Sequence, residues 1–283
     1  MICDTIKLKR QPLKGDNHME RKVVSVKYSV FGRYDYIEAI PETISKLFQK
    51  FASDEFMPNM INLLKIQQPQ NTVQQILRPQ LINSKKACTI SLLPERVDIE
   101  FSGNSYNEKA IEYYKRLVEL FDLKINRIAL NTSTMLVDLS DDEIVQLNSK
   151  LTPPENYCNE QNLVEYSSRR VSRKYLDAIN ENINIGRNIT SIAQLIERNQ
   201  VISQIQIDTD INTLGELTQE RFNINDCQAF FDLAMKTDND VVSNIEEIAN
   251  VAYLQSGYFC RFFKKCMGIT FLEYQNELRL SYI

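Results

Sequence analysis

The 283-residue chain is 43% apolar and 25% charged, enough to bury one large core or two smaller ones. Its formal charge of −4 supplies no global positive field, so any contact with nucleic acid has to come from a local patch. No run of about eighteen apolar residues exists, and the opening MICDTIKLKR lacks the apolar stretch of a signal peptide, so a cytoplasmic protein with no membrane partner is expected.

Residues 1–22 are polar and basic without periodicity and read as a flexible arm. KVVSVKYSVF (22–31) alternates and is β-branched, which predicts a strand. In YIEAIPETISKLFQKFASDEF the period changes: Ile40, Ile44, Leu47, Phe48 and Phe51 recur at steps of three and four, with Pro41 at a helix start. NLLKIQQ, ACTISLLPERVDIEFSG and NRIALNTSTMLVDL are strand-like, the PER inside the second marking a hairpin turn, and YNEKAIEYYKRLVELFDL (106–123) between them is helical. The double proline of TPPENYCNEQN predicts a loop between Leu151 and Asn162. LVEYSSRRVSRKYL and ITSIAQLIERNQVISQIQIDTDINT return to strand character before a helix from about Asp226 to Met235. This order predicts an α+β domain over 23–240, built of mainly antiparallel sheets with packed helices and followed by a small all-α segment, 241–283. Within 23–240 the segments IEFSG, INRIAL and QIDTDI resemble a sporadically distributed family of uncharacterised bacterial proteins, a likeness that implies no activity.

Two polar constellations stand out in this part. QIDTDI sets Asp208 and Asp210 on one face of a strand, opposite Ile205, Ile207 and Ile211, as a solvated polar face or as two ligands for a divalent cation. SSRRVSRKY brings Arg169, Arg173 and Tyr175 onto one face and Arg170 onto the other, as an exposed sheet surface or a contact for nucleic acid. The single histidine, His18, lies in the arm, which argues against Ser-His-Asp, Cys-His and His-rich metal chemistry. With seven glycines and no phosphate-cradling loop, nucleotide chemistry is not expected either. Cys3, Cys88, Cys158, Cys227, Cys260 and Cys266 show no CxxC spacing and are expected to be free thiols. A non-enzymatic protein with neither cofactor nor metal is therefore anticipated.

The C-terminal segment has a different character. Ile245, Ile248, Ala249 and Ala252 form one helical stripe, and Phe259, Phe262, Phe263 and Met267 form another, with the short YLQ link letting them face each other. Gly268 suits a helix end and Thr270 the cap of the next helix. Arg261, Lys264 and Lys265 lie off the apolar stripe, where phosphates are met. Together with Leu254, Tyr258, Tyr274, Leu278 and Arg279, this pattern resembles the first helix-turn-helix of AraC/XylS-type transcriptional regulators. That family domain carries two such units joined by a long helix, and the match covers only the first, so 241–283 reads as an incomplete helix-turn-helix. The resemblance implies sequence-specific binding of double-stranded DNA through Ser256, Gly257, Cys260, Arg261, Lys264 and Lys265, with homodimers supplying paired half-sites and the effector left open. Arg261 is the one convincing base reader of the set, since Gly257 has no side chain and Cys260 only a weak donor.

Overall fold

The computed structural model describes residues 20–67, 72–103, 107–139, 144–145, 148, 167–196, 200–215 and 219–253. The alternation expected after residue 22 begins at Glu20, so residues 20–22 of the anticipated arm belong to strand β1 (Glu20–Phe31). Val26, Tyr28 and Val30 enter the core, while Ser25 and Lys27 lie on the opposite face. Helix α1 (Pro41–Phe51) starts at Pro41 as predicted. Its buried residues are Thr43, Leu47 and Phe51, whereas Ile40 and Phe48 are exposed, because the face set by four-residue steps from Thr43 is the one turned to the sheet.

The hairpin β2 (Met57–Gln67) and β3 (Thr72–Asn83) follows. The sequence marked only the end of β2 and missed β3, whose glutamines and Pro79 conceal its extended backbone. Pro79 is accommodated because β4 pairs with β3 only from Gln80 onward. β4 (Cys88–Leu92) and β5 (Arg96–Ser102) form the hairpin expected at PER, where the Leu93 N–H donates to the Arg96 carbonyl at 2.8 Å. Helix α2 (Asn107–Phe121) leads to β6 (Arg127–Leu139). The chain resumes with β7 (Ser167–Leu176), β8 (Glu181–Ile196) and β9 (Gln200–Thr213). Helix α3 (Ile224–Tyr253) is closed at its start by a reciprocal cap: Asn223 Oδ1 accepts from the Asn225 and Asp226 N–H groups, and Asp226 Oδ2 accepts from the Asn223 N–H. It runs well past Met235, where the sequence reading stopped. The 151–162 loop lies outside the described residues.

The strands make one nine-stranded sheet in the order β2-β3-β4-β5-β1-β6-β9-β8-β7, and every neighbouring pair is antiparallel. One sheet thus replaces the several expected, because β1 pairs with both β5 and β6 and joins the N-terminal strands to the later ones. The helices supply the core on one face. Tyr28 meets Phe231 of α3 edge-on at 5.0 Å, and Phe231 stacks on Tyr114 of α2. Tyr114 is fully buried, and its hydroxyl donates to the Tyr28 carbonyl at 2.7 Å, which ties α2 to β1. Phe51, Phe56 and Tyr113 form a second aromatic group beneath α1. The two described cysteines, Cys88 and Cys227, are buried free thiols, and burial pushes the Cys88 thiol up to about 12. Among the described residues no helix is long and apolar enough to cross a membrane.

Candidate functional site

Because side chains alternate across a strand, packing the helices on one face leaves the other face to the polar positions of the same strands. Register then lines these positions up in rows. One row runs Glu100, Lys27, Asn131, Asp210, Gly186 and Val171 across β5, β1, β6, β9, β8 and β7. The next runs Ser102, Ser25, Ser133, Asp208, Asn188 and Arg169. Between them lies a hollow of about 270 Å³.

Its carboxylates are oriented by neutral donors. Asn131 Nδ2 donates to Asp210 Oδ1 at 3.0 Å, Ser133 Oγ donates to Asp208 Oδ1 at 2.8 Å, and Gln206 Nε2 reaches both oxygens of Asp208 at 2.9 and 3.0 Å. Gly186 keeps the row open: a Cβ there would stand 3.3 Å from the Asp210 carbonyl oxygen and fill the space between Asp210 and Val171. Lys27 and Arg169 line the same hollow as Glu100, Asp208 and Asp210. Both signs of charge and several amide and hydroxyl groups therefore converge on one place, which suits a small polar ligand and not an apolar one.

Asp208 and Asp210 share this face as the sequence suggested. Among the described residues no group of three or more His, Cys, Asp or Glu side chains that could hold a metal ion is found. Arg169, Arg173 and Tyr175 also fall on one face of β7 with Arg170 on the other, as the alternation predicted. β7 is an edge strand exposed along almost its whole length, and Arg173 Nε donates to Asn184 Oδ1 at 3.0 Å. Sequence reasoning missed Lys27, Glu100, Asn131, Ser133 and Asn188. Their signal was present as polar residues at alternate positions of apolar strands, but nothing local says which strands become neighbours. Ser256, Gly257, Cys260, Arg261, Lys264 and Lys265 lie outside the described residues. Comparison with protein-family models, curated proteins and solved structures finds no match for the chain.

Proposed function

We propose that the chain is a DNA-binding transcriptional regulator in which the α+β sheet senses a small polar molecule and the 241–283 segment reads DNA as part of a homodimer. Arg261 reads a base edge, Lys264 and Lys265 meet phosphates, and Ser256, Gly257 and Cys260 complete the approaching surface. One observation carries the reading. Helix α3 is continuous from Ile224 to Tyr253, so the element anchored on the sheet by Cys227, Phe230, Phe231 and Ala234 also bears Ile245, Ile248, Ala249 and Ala252 of the helix-turn-helix pattern. A helix of this length spans about 45 Å and transmits a shift at its base as a rigid body. Its buried part touches the sheet through Asp238, which accepts a hydrogen bond from Thr132 Oγ1 of β6 at 2.7 Å. Thr132 borders the hollow, one residue from Asn131 and one from Ser133.

The test is a salt titration of binding to random and selected duplexes. Lys264→Ala/Lys265→Ala flattens the slope of log K against log salt by about two contacts, at about 0.9 each. Arg261→Ala relaxes preference at one base pair by about 1 to 3 kcal/mol. A wild-type dimer that prefers no duplex from a selected pool overturns the reading. It would favour the alternative of a non-enzymatic interaction protein, for which the exposed apolar residues of the β2–β3 hairpin speak.

A further inference from the structure

The two ends of the sheet are built differently. β7 carries Arg169, Arg170, Arg173 and Lys174 among ten residues, the charged composition that keeps an edge strand from pairing with another chain. β2, at the other edge, has the sequence MPNMINLLKIQ with one charged residue, Lys65, in eleven. Met57, Met60 and Leu64 along it are 62%, 53% and 68% exposed, and Val73 and Leu77 on the adjoining β3 are 61% and 52% exposed. Because β4 pairs with β3 only over Gln80–Asn83, and Arg78 is buried against β4, residues 72–77 of β3 and their β2 partners form a two-stranded arm beyond the body of the sheet. A two-stranded ribbon with apolar residues is marginal by itself and gains from further strands.

We propose that β2 pairs antiparallel with β2 of a second copy of this chain, about a two-fold axis at Asn62, to give one continuous eighteen-stranded sheet, twice the nine strands of a single copy. The strand is self-complementary in that register. Asn62 meets its own counterpart, Ile61 falls opposite Leu63, and Met60 falls opposite Leu64, each pair occurring twice by symmetry. Position 65 falls opposite Asn59, so no like charges are brought together. Met60 and Leu64 share the face of Leu77 and Val73, as the β2–β3 register requires, so the cross-axis pairs extend an apolar strip already present on each arm. The same operation fails at β7. Centred on Val171 it sets Arg169 opposite Arg173, and centred on Ser172 it sets Arg170 opposite Lys174, like charges directly opposed in both cases. The occupant is thus a second copy at β2 and not at β7. The pairing is independent of the DNA-binding reading and holds whether or not residues 241–283 ever meet DNA.

Sedimentation velocity of the full chain without DNA, across micromolar concentrations, tests it. Wild type sediments as a dimer. Leu64→Lys or Met60→Glu alone raises the dimer dissociation constant by at least about tenfold, since each places a charge against an apolar partner at two symmetric contacts. Both positions are more than half exposed in one copy, so neither change disturbs the monomer's core. The combined Met60→Glu/Leu64→Lys variant regains the dimer, because opposite charges then face each other across the axis. This rescue is specific to the Asn62-centred register. Val171→Lys on β7 has no effect. A wild-type dimer indifferent to Leu64→Lys overturns the proposal by placing the interface elsewhere. A wild-type monomer overturns it too, and slow amide exchange along β2 in that monomer would assign the edge to another segment of the same chain.

Discussion

Replacing Arg78 by lysine keeps the charge and most of the length yet should rank among the more damaging conservative changes in this protein. The Arg78 side chain is buried, and its guanidinium donates to three main-chain carbonyls: Nε to Leu92 at 3.2 Å, Nη1 to Asp35 at 3.0 Å and Nη2 to Tyr34 at 2.5 Å. These bonds clamp the segment between β1 and α1 to the β3 and β4 strands. Burial lowers the Arg78 pKa, with Asp35 and Glu38 acting against that shift, yet a guanidinium remains charged throughout the ordinary pH range. A lysine ammonium offers its donors from a single atom and cannot span carbonyls arranged around a planar fork. Losing two charge-assisted bonds at about 1.5 to 3 kcal/mol each, with partial relaxation, puts the cost at about 3 kcal/mol. That corresponds to a fall in Tm of about 6 to 12 °C for a domain of this size. Thermal melts and urea unfolding of Arg78→Lys measure it, with exposed Arg33→Lys as the control expected within about 0.5 kcal/mol of wild type. An Arg78→Lys protein that melts together with the control would refute the clamp.

Gly32→Ala should destabilise by about 2 to 4 kcal/mol in the same melts. The new Cβ would stand 2.2 Å from the Lys124 carbonyl oxygen and 2.5 Å from the Tyr34 ring, and making room disrupts the bond that Tyr34 donates to that carbonyl. Asp54→Asn should cost about 2 to 3 kcal/mol at pH 7 and progressively less in acid. Burial by itself would raise the Asp54 pKa, but hydrogen bonds and charge from Arg116 and Lys86 outweigh it and hold the carboxyl below the usual range. A depressed folded value means the contribution is complete above the unfolded pKa of about 3.9 and disappears as pH falls through the folded one. Urea unfolding of both proteins at pH 7 and near pH 3 checks this, and a gap that widened on acidification would reverse the sign of the reasoning.

Local pattern determined much of the secondary structure. The strict alternation of β1, the proline-started α1, the amphipathic α2 and the hairpin at PER were all legible, because two-residue and 3.6-residue periods are properties of a few consecutive side chains. The polar side of β9 was legible for the same reason: Asp208 and Asp210 alternate with Ile207, Thr209 and Ile211, and alternation assigns them a common face. Where packing competes with pattern, the sequence was ambiguous. Ile40, Ile44 and Phe48 match a helical stripe as well as Thr43, Leu47 and Phe51 do, and only the sheet's position selects the second set. β3 was hidden because its 73–77 stretch is exposed or half-buried and does not need a clean alternation, and its Pro79 is tolerated only where β4 is no longer alongside. The hollow and the two contrasting edges belong entirely to tertiary structure. Lys27, Asn131, Asp208 and Arg169 come from strands distant in sequence, and they converge only because β1 lies beside β6, β6 beside β9, β9 beside β8 and β8 beside β7. Those adjacencies are long-range pairings chosen by the burial of a whole sheet face against the helices, a balance to which every strand contributes and which no single segment encodes.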